Sequence, residues 1–280
     1  MTLVIKKRGR PSKADLALRA AAKPKPKSNG EILEDLVLRF GMLGKLTQGA
    51  LEANIRSIVV SGAPGVGKSY NVEQVLGQAP DHQYDIVSGS ISAIGLYKMG
   101  WKHRSPGQVL VLDDADAVFL DPEALSLLKA MADTSLQRRV SWIKESAALR
   151  AEDGDIPTTY DFDGSLIFLS NIDFQRVIDT GGNKLVPHLE AVMGRSLYLD
   201  LQLFSMQARL VWIQHIATNG MLFRRESVNE ATGARILAWL TDHHEKMRDL
   251  SIRSLVKLCS LAKSRPSDWP DYSRVLLLRS

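Results

Sequence analysis

The chain has 280 residues, 45% of them hydrophobic, and a formal net charge of +5; that is enough apolar material for one large domain or a domain with a smaller companion, and it excludes a short peptide or a wholly disordered tail. No apolar run approaches the ~20 residues of a bilayer crossing, and the basic N-terminus lacks the apolar stretch of a secretory signal, so a cytoplasmic location is expected. A single cysteine, Cys259, excludes an internal disulfide, and the histidines lack ligand spacing, His244-Glu245 having no second histidine of the H-E-x-x-H pattern.

Charge is unevenly spread. Residues 1–28 carry nine Lys and Arg against Asp15 alone, which leaves 27 basic and 30 acidic side chains for the remainder. Basicity therefore belongs to this stretch, not to the globular body. It has no sustained apolar period and ends in Ala-Ala-Lys-Pro-Lys-Pro-Lys-Ser, whose alternating prolines favour extended, solvated backbone, so a disordered arm is expected. Within it Lys7-Arg8-Gly9-Arg10-Pro11 resembles an AT-hook, whose Arg-Gly-Arg core enters a narrow, A·T-rich minor groove. Three readings stand for the arm: sequence-biased DNA binding, a solubilising tail that binds any polyanion, or no nucleic-acid role at all.

Next, Ile32-Leu33, Leu36-Val37 and Phe40 recur at helical spacing, with Gly41 and Gly44 expected to stop the pattern. The apolar run Ile58-Val59-Val60 then leads into Gly62-Ala63-Pro64-Gly65-Val66-Gly67-Lys68-Ser69 and a helical pattern from Tyr70. This is G-x-x-x-x-G-K-[ST] in its required setting of strand, turn and helix. Such glycines let backbone N–H groups converge on phosphate oxygens, and the following helix directs its positive dipole end at the same anion. Lys68 is placed to reach the β- and γ-phosphates, and Ser69 to complete the shell of Mg²⁺, with Tyr70 beside them on the helix.

Tyr84 to Ser88 reads as a second strand and Ser92 to Met99 as a short helix. Val109 to Leu112 is a continuous apolar run that delivers Asp113-Asp114 to the C-terminal end of a buried parallel strand, where α/β sheets bind ligands. Asp113 is placed to hold Mg²⁺ and Asp114 to orient or deprotonate water; the plainer alternative is a pair of acids capping the next helix. Pro122 starts a helix with Leu125, Leu128 and Met131 on one face. Arg138 to Ile143 and Thr158 to Phe162 are expected to pair as a hairpin, with Trp142 packed and its arginines solvated, or all three touching nucleic acid. Leu166 to Leu169 is another buried strand, followed by Ser170-Asn171, and Ser196 to Leu199 a fifth. The rest reads as helices marked by Met206, Leu210, Ile213 and Ala217, then Leu237, Leu240, His244 and Met247, then Ile252, Leu255, Val256 and Cys259.

P-loop, acidic strand, Asn-terminated strand, arginine before a fifth strand and helical C-terminus occur in the order typical of AAA+ ATPases, which the chain resembles from about Glu31 onward. Ser88-Gly89-Ser90, Leu112-Asp113-Asp114-Ala115-Asp116 and Arg138-Arg139-Val140-Ser141-Trp142 further resemble the AAA+ ATPases of tailed bacteriophages, which implies a host-cytoplasm location. The resemblance implies an α/β fold: a disordered arm over 1–28, a nucleotide-binding domain with a parallel sheet flanked by helices over 29–202, and a helical lid over 203–280. It places the Asn171 strand between the P-loop and Asp113 strands. It also implies ATP and Mg²⁺ as ligands, Asn171 as sensor 1, Arg195 as a finger completing a neighbouring subunit's site, and Arg253 as sensor 2, although Asn commonly ends strands and isolated arginines are ordinary on surfaces.

Asp113-Asp114 departs from the family's usual Asp-Glu, and the shorter acid reaches less far toward water. Two functions follow: an oligomeric ATPase remodelling DNA or a DNA-bound protein such as a helicase, or an ATP-dependent DNA-binding adaptor with little hydrolysis. A P-loop small-molecule kinase fits less well with a basic arm and a large helical C-terminus.

Overall fold

The computed structural model describes residues 27–144, 150–151, 154–182, 184–219 and 222–279, so the arm motif from Lys7 to Pro11 lies outside the described residues. In chain order, α1 (Asn29–Leu51) leads to β1 (Ser57–Ser61), α2 (Lys68–Leu76), β2 (Tyr84–Ser88), α3 (Ala93–Lys102), β3 (Val109–Asp113) and α4 (Pro122–Met131). Then come β4 (Arg139–Ser141), β5 (Thr159–Asp161), β6 (Ser165–Ser170), α5 (Phe174–Thr180), α6 (Val186–Met193) and β7 (Leu197–Asp200). Helices α7 (Met206–Asn219), α8 (Leu222–Arg225), α9 (Glu230–His243), α10 (Ile252–Ser264) and α11 (Trp269–Leu277) complete the chain.

Five strands form one sheet in the order β2-β3-β6-β1-β7, and every pairing in it is parallel. The strand bearing Asn171 thus lies between the P-loop strand and the Asp113 strand, as the family resemblance implies. Both faces of the sheet are covered, which is why its strands read as continuous apolar runs. Alternate side chains still go to different cores: Leu110, Leu112, Leu166 and Phe168 pack with α3 and α4, whereas Val109, Val111, Ile167 and Leu169 pack with α1 and α2. Register aligns the C-terminal ends of the three central strands, with Ser61 opposite Ser170 and Asp113 opposite Leu169.

Helix α1 starts at a capping box, in which Glu31 N–H donates to Ser28 Oγ and Ser28 N–H donates to Glu31 Oε2. It continues through Gly41 and Gly44 to Leu51, because Leu36, Phe40, Leu43, Thr47 and Ala50 are buried on one face. Two glycines cost a helix about 1 kcal/mol each, less than that burial returns. Gly44 faces α2, where a Cβ would lie 3.6 Å from Asn71 Oδ1, an ordinary contact distance. Helix α3 runs three residues beyond Met99 to Lys102. Helix α9 ends at His243, one residue before His244, which begins a 3₁₀ turn. Helices α5, α6 and α11 are short and were not expected from periodicity.

β4 and β5 pair antiparallel, Val140 opposite Tyr160, giving the expected hairpin before β6. Arg138 is not solvated: it is 3% exposed, and its guanidinium donates to Met131 O at 2.9 Å and Gly164 O at 2.8 Å. Burial lowers its pKa to about 10. A residue so enclosed is not free to touch nucleic acid, whereas Arg139 beside it is exposed. The C-terminal helices have a core of their own, including Leu210, Ile236, Leu240, Leu258 and Cys259, and burial pushes the Cys259 thiol up to about 11. No helix among the described residues is long and apolar enough to cross a membrane. Because Arg138→Ala would strand two buried carbonyls, it should cost about 2–4 kcal/mol in urea unfolding, against under about 0.5 kcal/mol for Arg139→Ala.

Candidate nucleotide-binding site

The loop between β1 and α2 turns at two glycines in the left-handed region, Gly65 (φ +71°) and Gly67 (φ +102°), where side chains strain the backbone. At Gly65 there is a second constraint, since a Cβ would come within 2.9 Å of Ser251 Cβ. No side chain caps the N-terminus of α2, whose first residue is Lys68. Its leading amides are thus not satisfied by a cap, the arrangement that receives an anion.

Lys68 is 5% exposed. Its Nζ donates to Gly62 O (2.7 Å), Ala63 O (3.2 Å) and Asn171 Oδ1 (2.9 Å). Burial holds its pKa below the usual lysine value, while Asp114, Asp113 and Asp116 oppose that shift. Asn171 immediately follows β6 and passes the connection on, its Nδ2 donating to Asp114 Oδ1 at 2.5 Å. Asp114 stands at φ +53°, a conformation Asp tolerates better than most residues. Its N–H is held by Leu169 O at 3.1 Å.

Asp113, 9% exposed at the end of β3, has its carboxyl raised above the usual range by burial, against a hydrogen bond from Ser69 that lowers it. The two groups expected at Mg²⁺ are therefore neighbours, and two oxygen donors fit a hard cation. Asp116, which the sequence offers only as part of an acidic run, ties down the end of β6. Its carboxylate accepts from Ser170 Oγ at 2.6 Å and from Asn171 N–H at 3.4 Å, and burial raises its pKa.

A cavity of ≈ 330 Å³ opens beside these groups. Gly65 to Tyr70, Asp114, Asn171 and Arg253 line it, so most expected nucleotide-site residues converge. Gly62 and Ala63 contribute carbonyls to Lys68 instead, and Pro64 is exposed on the loop's outer side. Arg195 does not line the cavity; its Nη1 donates to Ala191 O at 2.8 Å, at the end of α6.

Sequence reasoning passed over the apolar end of the cavity, built from Phe40, Trp212, Ile216 and Leu222. Phe40 on α1 and Trp212 on α7 stack at 4.1 Å between ring centroids, although 171 positions separate them in the chain. A buried Trp usually directs its N–H at a partner, the one signal that the sequence offers for Trp212. Trp212 Nε1 donates to Val66 O at 2.8 Å. The neighbouring carbonyl, Gly65 O, accepts from Ile252 N–H at 2.9 Å. The C-terminal helices therefore hold two consecutive P-loop carbonyls.

Sheet order, a P-loop after β1 and C-terminal helices against that loop define a P-loop ATPase fold of the AAA+ type. The structure overlaps that of the Thermotoga maritima RuvB Holliday junction branch migration motor with a TM-score of 0.50, over 87% of this chain and 68% of that one, at 12% identity. Its overlap with AMPPCP-bound DnaA from Aquifex aeolicus has a TM-score of 0.46, over 82% of this chain and 63% of that one, at 13% identity. No protein-family model matches the chain. It is 34% identical over 236 residues to an uncharacterized 36.7 kDa protein of the nrdC-mobD intergenic region of Enterobacteria phage T4, covering 83% of this chain and 71% of the T4 protein. The chain belongs to the family of that phage protein.

Trp212→Phe keeps the stack on Phe40 and removes the bond to Val66 O. It should cost about 1 kcal/mol in unfolding free energy and weaken ATP binding measured by calorimetry. Unchanged affinity would show that the loop keeps its shape without the indole.

Proposed function

We propose that the chain binds ATP with Mg²⁺ and hydrolyses it, as an oligomeric AAA+ ATPase acting on DNA or a DNA-bound protein in phage DNA replication or genome handling, of the remodeller or helicase-loader type. Residues 29–202 would be its nucleotide-binding domain and 203–280 its lid. The observation that carries the reading is the chain Lys68–Asn171–Asp114 at the wall of the cavity lined by the P-loop.

Each residue has a distinct task. The P-loop amides and the dipole of α2 receive the phosphates, and Lys68 exchanges carbonyl partners for phosphate oxygens. Ser69 and Asp113 would hold Mg²⁺, which supplies charge neutralisation on the phosphates. Asp114 accepts the proton of the attacking water, and Asn171, already bonded to Asp114, positions that water. Arg253, on the first turn of α10, approaches from the lid. Arg195, outside its own chain's cavity, would act in a neighbouring subunit, where a finger can contribute about 10³-fold or more in rate. The basic arm, with Lys7, Arg8, Gly9, Arg10 and Pro11 as its core, supplies the contact with DNA.

A second reading, an ATP-dependent DNA-binding adaptor with little hydrolysis, is favoured by the bond that occupies the short Asp114 carboxylate. Turnover decides between them. Lys68→Ala should abolish most ATP binding, whereas Asp114→Asn should bind near normally and hydrolyse about 10²-fold more slowly or worse. Measurable binding but no wild-type turnover, with or without DNA, would establish the adaptor; absence of ATP binding would defeat both readings.

The arm is tested separately. Deleting residues 1–26, which spares the Ser28 cap of α1, should leave the basal ATPase rate intact and flatten the log–log salt dependence of DNA binding by about 4–5 units, if about five of its cations contact phosphates. An unchanged slope would remove the arm from the interface.

A further inference from the structure

We propose that Asp249 is a positioning residue that aims Arg253 at the γ-phosphate of the bound nucleotide, an inference that rests on the nucleotide-binding reading above. Arg253 lines the cavity, and its charge is felt at Lys68 and Asp113, though less than burial is. No hydrogen bond or ion pair among the described residues holds its guanidinium. Its aim is therefore set by the backbone that carries it, the first turn of α10.

That turn is held from two sides. Toward the P-loop, Ile252 N–H donates to Gly65 O at 2.9 Å, and a Cβ at Gly65 would come within 2.9 Å of Ser251 Cβ and 3.4 Å of Arg253 Cγ. The cap of α10 and the stem of Arg253 thus lie directly on the loop. On the other side stands Asp249. Ser251, the N-cap of α10, accepts from Ser254 N–H at 3.3 Å and donates its own proton to Asp249 Oδ2 at 2.6 Å. Ser254 Oγ donates to Asp249 O at 2.7 Å and lies 3.1 Å from Oδ2. Ser251 and Ser254 are only 4% and 1% exposed, so water is poorly placed to replace the carboxylate.

Asp249 thereby closes a clasp between the segment before α10 and its first turn. Without the carboxylate the Ser251 proton loses its acceptor, because the neighbouring Ser254 Oγ, at 3.4 Å, is itself bonded to Asp249 O. The hydroxyl must then turn to find another, and the cap that it forms for α10 turns with it. Asp249 is not among the residues that line the cavity, so its effect on the nucleotide passes through Arg253. A contact made with the γ-phosphate exists for a triphosphate and is missing for a diphosphate. The aim of Arg253 is accordingly read in the preference for one over the other.

The test is equilibrium binding of the full chain, with Mg²⁺, to β,γ-methylene ATP and to ADP. Arg253→Ala should lower the ratio of the two affinities about 10-fold, as expected for one charge-assisted hydrogen bond, by weakening the triphosphate. Asp249→Ala should lower it by a similar factor while leaving ADP affinity nearly unchanged. Asp249→Asn, whose amide oxygen still accepts from Ser251, should keep the wild-type ratio. Added to Arg253→Ala, Asp249→Ala should change the ratio no further, because the two residues act as a unit. Equal weakening of both nucleotides by Asp249→Ala would assign it a structural role and overturn the proposal, as would an unaltered ratio, an additive double variant or an Asn variant as impaired as Ala. Should Asp249→Ala fail to fold, Ser251→Ala, which removes a donor from the same clasp, is judged by the same ratio and the same double variant. The two readings fail separately: wild type that binds neither nucleotide sinks the nucleotide site itself, whereas wild type that binds with a ratio indifferent to Arg253→Ala sinks the clasp alone.

Discussion

The arrangement depends on one buried ammonium. An ammonium held out of water is costly unless hydrogen bonds and opposite charge replace its hydration. Lys68 is surrounded accordingly, by Gly62 O, Ala63 O and Asn171 Oδ1, with the charges of Asp114, Asp113 and Asp116 favouring its charged form. Meeting that demand constrains the chain widely. The loop must fold its early carbonyls back over α2, and β6 must lie directly beside β1 so that Asn171 arrives within reach. Asn171 then spans from Lys68 on one side to Asp114 on the other, so the central strands are cross-linked at the ends where chemistry would occur.

The acids carry the complementary cost. Burial raises the pKa of both Asp113 and Asp116, so their charged forms oppose folding at neutral pH; that opposition is relieved as pH falls through their raised values. Their local partners differ in a way that suits different work. Asp116 is held by Ser170 Oγ and Asn171 N–H and anchors the strand that presents Asn171. Asp113 has Ser69 as a hydrogen-bonding neighbour, leaving carboxylate capacity for a cation. Desolvated carboxylates gathered around a phosphate loop are expensive until a cation joins them.

Grip on the loop from the C-terminal helices gives the fold a mechanical link. Ile252 N–H and the Trp212 indole hold adjacent carbonyls of Gly65 and Val66. Trp212 also stacks on Phe40, so α1, α7 and the P-loop meet at a single side chain. Rotation of the C-terminal helices would therefore strain that loop.

By itself the sequence determined the elements whose physics is local. Glycines at 65 and 67 followed by Lys68-Ser69 and a helix specify a phosphate loop, because backbone conformation and helix dipole act over a few residues. Apolar runs ending in Asp113 and Asn171 announce buried parallel strands, and their family resemblance supplied the order in which the sheet holds them. Local reasoning failed where a long-range contact outweighed propensity. Gly41 and Gly44 look like helix stops, yet α1 runs through both because its buried face outweighs their entropy cost. Arg138 and Arg139 look alike in sequence, but only Arg138 meets the carbonyls of Met131 and Gly164 in the folded interior. Tertiary structure alone decided that Phe40 and Trp212 would stack and that Asp116 would hold the end of β6. Those contacts join residues far apart in the chain, and no spacing rule within a segment encodes which distant surface will be pressed against it.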